Sequence, residues 1–357
     1  MEKIYLASLH YIGFTHKKLH KIFEINQNYK EVFENINQDY LKKNWFSDKQ
    51  AEIILERYKN TNLDFLVKKL EKRKARIITI FEEDYPESLK NIVNLPFLFY
   101  IRWKIDNSPK LAIIWARKIS SYWDKVIEQL IPDLVKYFCI ISGWAAGCDT
   151  KAHTEALKNN WKTIAIIWTW IDQDYPVWNE KLFWEIAEKG WATISIFPIW
   201  EVWNPYNFPV RNEVVAGLSE WILIIEAREK SGSLITAKLW LDLGKDLFAV
   251  PGDIFKWGSI WTNNLIKKWE AKLTLNSFDI LEEYNISNKP NKKTKQKIKF
   301  ADILEENIYN TLILENLTID ELSKNLKQNT STISFKLSMM EISWLISKVT
   351  WWKYEIK

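Results

Sequence analysis

Residues 138–153 read FCIISGWAAGCDTKAH, and the fold predicted from the sequence depends on this stretch. Its apolar start is typical of a buried strand, and the residues after Thr150 have the spacing of a helix. Asp149 and Thr150 offer side-chain oxygens that can cap this helix. A strand, a small-residue turn and a helix N-terminus favour anion binding, because backbone N–H groups and the helix dipole face the turn. Trp144 does not fit this interpretation, since an indole stands where a phosphate approaches the backbone.

Strands and helices alternate on both sides of this stretch. The alternation predicts an α/β fold, a mostly parallel sheet with helices on both faces. Ligands of such sheets bind beyond the carboxyl ends of the strands, so the loops there are the candidate sites. The strand candidates are 76–81, 111–115, 138–142, 163–168, 192–196, 221–226 and 246–250, and helices are predicted over 121–136, 150–160, 178–189 and 232–243.

The chain divides into four predicted segments. Residues 1–72 have helical spacing and Lys-rich faces, which predicts a small helical domain of the SAM or helix–hairpin–helix type. A structural cap is favoured there over a module that contacts DNA. The sheet occupies 75–285, and a polar, basic linker follows over 286–300. Residues 301–357 predict three helices and a hairpin, the order of elements in a winged helix.

The composition is that of an ordinary globular protein, with 47% apolar and 27% charged residues. No apolar run reaches the roughly 18 residues that span a bilayer, and the N-terminus has no signal-peptide pattern. Cys139 and Cys148 have neither metal-ligand spacing nor a disulfide framework, so a cytoplasmic location is expected. A net charge of +5 permits nucleic acid binding without arguing for it.

Tryptophan and glycine are present in unusual amounts. The chain has 21 tryptophans and 9 glycines, whereas average usage predicts about 25 glycines for this length. Many tryptophans lie at turn positions, such as Trp191 beside Gly190 and Trp351 with Trp352 in a predicted hairpin. We therefore hypothesise that most of them are UGA codons that the source organism reads as glycine. The alternative is a protein that is truly rich in tryptophan.

The loop after strand 111–115 has the composition of a phosphate site. It reads WARKISSYW over 115–123 and places Arg117, Lys118 and Ser120 just past the strand. Guanidinium, hydroxyl and backbone N–H donors suit phosphate oxygens. A solvated basic loop is the alternative, but the position of Arg117 directly after the strand favours phosphate.

Three further stretches suggest anion sites and also allow structural interpretations. FPVRNEVVAGLS (208–219) places Arg211 and Asn212 ahead of a short helix, where Arg211 is suited to clamp a phosphate or to pair with Glu213 or Glu226. The other two stretches open predicted helices, and their residues suit either anion binding or ordinary helix capping. They contain Ser231, Gly232, Ser233 and Thr236 in SGSLITA (231–237), and Ser259, Thr262 and Asn263 in WGSIWTNNLI (257–266).

Aromatic and titratable side chains near these loops have equally open roles. Tyr175 follows another strand and is suited either to stack on a base or to pack beside Pro176. His153 is predicted to be a packed helix residue rather than a base, and Asp149 a cap rather than an acid. No P-loop pattern, metal-ligand cluster or Ser/His/Asp arrangement is visible, so no enzymatic activity, cofactor or metal is expected.

The order of these motifs along the chain resembles the DNA-processing protein A family (DprA/Smf). The resemblance is strong over about 80–275 and weaker at both ends. It implies an extended Rossmann-like core that binds single-stranded DNA, forms a homodimer and helps to load the RecA recombinase in natural transformation. The motifs that carry it are YPESL (85–89), WARKISSYW, SGWAAGCDTKAH, WTWIDQDYPVWN, FPVRN, AGLS, SGSLITA, VPGD and WTNNLI.

The resemblance also implies which residues bind DNA phosphates. Tryptophan stands at several positions where the family has glycine, and Glu213 stands where a second basic residue is frequent. The matched positions are Trp115, Ala116, Arg117, Ser142, Gly143, Trp144, Gly147, Asp149, Arg211, Asn212, Ser231, Gly232, Ser233 and Thr236. Lys118 and Ser120 join these phosphate-binding candidates from the composition of their loop, and Tyr175 is the base-stacking candidate.

Two other functions are compatible with parts of the sequence. One is an enzyme on nucleoside monophosphates, similar to lysine-decarboxylase-like phosphoribohydrolases, although PGD at 251–253 lacks the glutamate that such enzymes need downstream. The other makes the C-terminal segment a reader of duplex DNA. Its third helix, which Thr330 or Ser331 is predicted to cap, carries Lys336 as its single cation, which favours an interaction module instead.

Overall fold

The structure is a computed structural model that contains two compact units, Met1–Ser287 and Asn288–Lys357. Each unit has a hydrophobic core of its own. The residues that the structure describes are 2–26, 28–44, 46–115, 121–145, 147–171, 180–199, 207–226, 239–284, 286, 300–349 and 352–356. The predicted linker therefore lies outside the described residues except at its two ends.

The first unit is built on a nine-stranded sheet with the strand order β1-β2-β6-β5-β4-β3-β7-β8-β9. The seven strands from β6 to β9 in this order are parallel, and β2 is antiparallel to both of its neighbours. The strands are β1 (Ala75–Thr79), β2 (Leu98–Arg102), β3 (Lys110–Trp115), β4 (Cys139–Ser142), β5 (Thr163–Ile166), β6 (Thr193–Ser195), β7 (Trp221–Glu226), β8 (Asp246–Ala249) and β9 (Lys272–Leu273).

Helices cover both faces of this sheet, which confirms the predicted fold class. Alternate residues of β7 belong to different clusters, Ile222 and Ile224 to one and Leu223 and Ile225 to the other. The helices are α1 (Glu2–Ile12), α2 (His16–Asn26), α3 (Tyr29–Glu34), α4 (Gln38–Lys43), α5 (Asp48–Lys59), α6 (Leu63–Lys72), α7 (Ser121–Leu134), α8 (Cys148–Lys158), α9 (Glu180–Glu188), α10 (Asn207–Leu218), α11 (Ile260–Lys267) and α12 (Ser277–Glu283), with a 3-10 helix over Glu87–Asn91.

Four details differ from the sequence predictions or extend them. Strands β2 and β9 were not predicted, and of the helix expected over 232–243 the structure describes 239–242 as helical. Helix α10 begins at Asn207, so Arg211 and Asn212 lie inside it rather than ahead of it. The prediction was wrong because FP at 208–209 fits into the first turn of α10. The N–H groups of a first turn have no acceptor within the helix, so a proline there costs no helical hydrogen bond.

Helices α1 to α6 share the first unit with the sheet, and a histidine of α2 joins them to it. His16 Nδ1 accepts the Phe97 N–H at 3.2 Å, and its Nε2 lies 2.9 Å from the Ile196 carbonyl oxygen. A carbonyl only accepts, so the ring proton is on Nε2. Burial lowers the pKa of His16 to about 4, because the charged ring would lose its solvation. The division into domains at residue 72 stays a prediction.

The second unit has three helices and a small antiparallel sheet of strand order β10-β12-β11, the winged-helix-like arrangement that was predicted. Its elements are α13 (Ile303–Leu314), β10 (Leu317–Thr318), α14 (Ile319–Leu326), α15 (Thr330–Ile342), β11 (Ile346–Lys348) and β12 (Lys353–Ile356). Thr318 caps α14 and forms a capping box with Glu321. Asn329, not Thr330 or Ser331, is the N-cap residue of α15.

In the described ranges, no helix is both long enough and apolar enough to cross a membrane.

Candidate nucleic-acid interface

The topology brings the predicted loops together at one edge of the sheet. Strands β4, β3 and β7 are neighbours, and Trp115 at the end of β3 is the register partner of Glu226 at the end of β7. The chain continues from β3 to β4 on one side of this pair and from β7 to β8 on the other side. This is a topological switch point, where open α/β sheets bind their ligands.

Two of the three loops at this switch point lie outside the described residues. They are 116–120 after β3 and 227–238 after β7. The backbone of Trp115 is described as the last residue of β3. The assignments of Ala116, Arg117, Lys118, Ser120, Ser231, Gly232, Ser233 and Thr236 to phosphate binding, and of Tyr175 to base stacking, therefore stay predictions.

The third loop follows β4 and is organised by one buried carboxylate. Asp149 Oδ2 accepts the Ala145 N–H at 2.8 Å, and its Oδ1 lies 3.1 Å from Ser142 Oγ. The Ser142 hydroxyl also lies 2.8 Å from the Ile113 carbonyl oxygen, which ties the end of β4 to β3. Asp149 thus holds the turn in a fixed shape instead of leaving its N–H groups to solvent.

Asp149 does not cap the helix that follows, so this prediction was wrong. The N-cap residue of α8 is Gly147, with φ 99° and ψ −121°. A side chain is strained in that backbone conformation, which explains the glycine. Asp149 lies in the first helical turn, and its carboxylate points back into the loop. Thr150 Oγ1 donates to the Ala145 carbonyl oxygen at 3.1 Å, so it too stabilises the loop.

Arg211 reaches this loop from α10. Its Nη1 lies 3.7 Å from Asp149 Oδ2, and both side chains are buried, at 3% and 9% exposed. The guanidinium passes directly over Gly143, where a Cβ would lie 1.4 Å from Nη1. Only glycine allows this approach. Asn212, the next residue of α10, is also buried, at 7% exposed.

Neither of the sequence-predicted partners of Arg211 is the one found. Its ion pair is with Asp149, which is distant in sequence. Glu213 instead accepts the N–H of Asn94 at 3.1 Å and its side-chain amide at 2.7 Å. Glu213 therefore anchors the segment before β2.

Trp144 and His153 fill the space behind the loop. Trp144 is 1% exposed, and its ring centroid lies 5.5 Å from that of His153. His153 Nε2 lies 2.9 Å from the Gly143 carbonyl oxygen, and Nδ1 lies 2.7 Å from Thr163 Oγ1. Burial lowers the pKa of His153, so the ring is neutral, with its proton on Nε2. This confirms a packed helix residue rather than a base.

The loop after β8 lies at the same edge and is held by α11. Asn263 Oδ1 accepts the Gly252 N–H at 3.1 Å, and its Nδ2 donates to the Gly252 carbonyl oxygen at 2.9 Å. Asn263 is therefore a structural clamp. Ser259 is the N-cap of α11 without a side-chain cap bond, and Thr262 Oγ1 donates to its carbonyl oxygen at 3.0 Å.

This clamped loop exposes an aromatic side chain that sequence reasoning missed. Phe255 is 87% exposed, and Ile254 beside it is 73% exposed. The Phe255 N–H is bound by Asp253 Oδ1 at 2.9 Å, which fixes the turn beneath it. The signal was present in the sequence, because IFKW (254–257) alternates apolar residues with lysine directly after the VPGD turn.

The third helix of the second unit does not have a base-reading surface. Lys336 bridges Asp302 at 2.5 Å and Glu305 at 3.1 Å. The exposed apolar residues on this helix are Phe335, Met339 and Ile342. This surface does not match the cationic helix that reads a major groove. In the ranges that the structure covers, no group of three His, Cys, Asp or Glu residues is arranged to hold a metal ion.

Comparison with known proteins gives consistent matches. A family model described as DNA recombination-mediator protein A matches residues 76–285. The DNA processing protein DprA of Streptococcus pneumoniae is 32% identical over 278 residues, which cover 76% of this chain and 94% of that protein. Protein Smf of Borreliella burgdorferi is 32% identical over 265 residues, 73% of this chain and 82% of the relative.

Solved structures of relatives have the same fold. The X-ray structure of DprA from Streptococcus pneumoniae superposes with a TM-score of 0.65 at 31% identity, covering 78% of this chain and 97% of that one. A Helicobacter pylori DprA structure, reported for its single-stranded DNA binding mode, gives a TM-score of 0.54 at 27% identity and covers 60% of this chain and 96% of its own. With the motif order and the strand-end loops described above, these matches show that the chain belongs to the DNA recombination-mediator protein A (DprA/Smf) family.

Proposed function

We propose that the protein binds single-stranded DNA along the carboxyl ends of β4, β3 and β7 and acts as a mediator of recombination. The observation that carries this proposal is that β4, β3 and β7, the strands that precede the three predicted phosphate loops, are neighbours at one switch point, where Trp115 and Glu226 are register partners. Backbone N–H groups, hydroxyls and Arg117 would bind phosphates there without reading the base sequence.

Residues 143–145 and 147, in the anchored loop after β4, are the described part of this surface. The shape of this loop is set by Asp149 and Arg211, both buried, so it is pre-organised before any ligand arrives. Pre-organisation favours binding, because the entropy of ordering the loop is not lost on association. We assign Arg211 a positioning role and Arg117 the direct phosphate contact.

Phe255 supplies a base-stacking surface at the same edge. An exposed aromatic ring beside Lys256 is the combination by which single-strand binders hold bases without sequence preference. It takes the role that the sequence suggested for Tyr175, or adds a second platform to it.

The first experiment is a titration of fluorescently labelled oligo-dT with the full chain. Arg117→Ala should weaken binding about tenfold, the value of one lost charge-assisted hydrogen bond. It should also reduce the salt slope by about 0.7, the contribution of one phosphate on a single strand. Arg76→Ala is the matched control, because Arg76 is exposed on edge strand β1 and pairs with Asp84 at 2.7 Å. Equal affinities for both variants would refute the assignment.

We further propose that the bound strand is handed to the RecA recombinase, in the cytoplasm and during natural transformation, by a homodimer. The support is the family membership, because a recombination mediator acts on a recombinase. RecA ATPase activity on DNA pre-coated with single-strand binding protein should rise when this protein is added. The family is one of recombination mediators, and the protein is not an enzyme, so no free base should form from nucleoside monophosphates.

A further inference from the structure

Tryptophan occupies backbone positions of a kind that it rarely adopts. In the described part of the chain, seven residues other than glycine have a positive φ, and four of them are Trp103 (71°), Trp269 (61°), Trp344 (61°) and Trp352 (65°). A positive φ is uncommon outside glycine, is found mainly for asparagine and aspartate, and is an outlier for a bulky side chain. The four tryptophans therefore share a conformation, not a surface or a partner.

Trp269 lies in the position that closes a helix with a left-handed residue. Its N–H donates to the Ile266 carbonyl oxygen at 3.1 Å, and the Glu270 N–H donates to that of Leu265 at 2.9 Å. These two bonds define the Schellman motif, in which the left-handed residue is usually glycine. The α9 helix ends in the same way, with Gly190 at φ 80°.

Trp344 repeats this arrangement at the end of α15. Its N–H donates to the Glu341 carbonyl oxygen at 3.1 Å, and the Leu345 N–H donates to that of Met340 at 2.9 Å. Gly244, with φ 66°, has the same role before β8, where its N–H donates to the Leu241 carbonyl oxygen at 2.9 Å. The chain thus uses glycine and tryptophan interchangeably in one structural position, although their steric requirements are opposite.

The other two tryptophans lie at strand ends. Trp352 directly precedes β12 in the hairpin after β11, and Trp103 directly follows β2. The Trp103 indole lies beside Gly190 at the end of α9. A Cβ on residue 190 would lie 2.4 Å from the Nε1 of Trp103. Glycine at 103 would remove both the left-handed strain and this contact.

The indoles gain little from burial in return. Trp269 is 94% exposed, Trp344 74% and Trp352 73%, whereas tryptophan is highly buried on average. Left-handed backbone costs a residue with a Cβ roughly a tenfold factor in the folding equilibrium. Four left-handed positions are not expected of residues that were selected as tryptophan.

We infer that positions 103, 269, 344 and 352 are glycine in the protein as its own cell makes it, and that their codons are UGA read by a glycine tRNA. The inference rests on backbone geometry and is independent of DNA binding. It also accounts for the 21 tryptophans and 9 glycines of the chain, since the same reassignment moves residues from one count to the other.

The test is to sequence the gene and to measure tryptic peptides of the protein isolated from its own cells. UGA codons together with peptide masses that contain glycine at the four positions are expected. Peptides across Gly190 and Gly244 serve as internal controls for glycine. UGG codons, or peptide masses that contain tryptophan, would overturn the inference whatever the DNA-binding result.

A pair of variants tests the backbone argument in a laboratory host. Trp269→Gly and Trp269→Ala both remove the indole, but only glycine relaxes the left-handed backbone. The unfolding equilibrium constant in urea should therefore be about tenfold smaller for Trp269→Gly. At Trp257, which is 76% exposed and not among the positive-φ residues, alanine should be at least as stable as glycine. Equal stability of the two variants at 269 would overturn the assignment there.

Discussion

The buried carboxylate of Asp149 makes a sharp prediction about the loop after β4. Asp149→Asn keeps the shape of the side chain but removes the charge opposite Arg211, at 3.7 Å, and turns one acceptor into a donor. The amide oxygen can still accept the Ala145 N–H, now bound at 2.8 Å, and the Ser142 hydroxyl keeps the Ile113 carbonyl oxygen as an acceptor at 2.8 Å, so the main loss is the charge opposite Arg211. Breaking one side of a buried pair costs about 3–5 kcal/mol, and the asparagine oxygen retains one hydrogen bond. We expect a loss of about 3 kcal/mol.

Urea unfolding of the full chain, followed by circular dichroism, measures this loss as a shift of the midpoint at constant slope. Asp84→Asn is the matched control, because Asp84 pairs with Arg76 at 2.7 Å on the surface, where such pairs contribute about 0–1 kcal/mol. Arg211→Met combined with Asp149→Asn should cost less than the sum of the single changes. The reasoning is refuted if Asp149→Asn costs no more than Asp84→Asn. The oligo-dT affinity of Asp149→Asn should also fall, because the loop after β4 loses its fixed shape.

Three further predictions follow from described side chains. His16 takes up a proton below about pH 6.5 in the unfolded chain but only below about pH 4 in the folded protein. Its contribution to the free energy of unfolding is therefore complete above pH 6.5 and decreases by at most about 3 kcal/mol as the pH falls to 4. His16→Gln should flatten this fall in pH-dependent urea unfolding. Phe255→Ala should weaken oligo-dT binding about tenfold without changing the salt slope, because stacking involves no phosphate. Lys336→Met leaves Asp302 and Glu305 without their shared cation and should slightly lower the urea midpoint of the second unit, with unchanged oligo-dT affinity.

Each of these has its own contrary result. An equal pH dependence in the parent and His16→Gln would show that the pKa of His16 is not lowered in the folded protein. Phe255→Trp should restore affinity, and a loss equal to that of alanine would exclude stacking. Weaker DNA binding by Lys336→Met would mean that the second unit contacts DNA through this lysine after all.

Local patterns predicted the sheet better than its edges. Parallel strands such as β7 are buried on both faces and read as continuous apolar runs, which the sequence shows directly. Strand β2 is equally apolar, but it follows Pro96 and pairs antiparallel with β1 and β6, and nothing local specifies those distant partners. Its absence from the sequence prediction reflects that non-local pairing.

The site shows the same limit. That Arg211 and Asp149 belong to one site followed from the motifs, but their mutual contact did not, because the two residues approach only when α10 packs beside β4. Asp149 was expected to cap α8, as an aspartate at a helix start usually does. The buried Arg211 guanidinium and the Ala145 N–H draw its carboxylate back into the loop, and Gly147 takes the cap position.

The approach of Arg211 to Gly143 affects how a mutational screen of this protein would be interpreted. Because a Cβ at 143 would lie 1.4 Å from Nη1, a substitution there has to displace the Arg211 guanidinium from Asp149 and should lower the score in a selection for folding alone, with no DNA present. Intolerance at 143 would therefore not identify a DNA contact. A screen that scores abundance and DNA binding separately would assign 143 and 149 to architecture, and the residues that lose binding at normal abundance would define the surface that meets the strand.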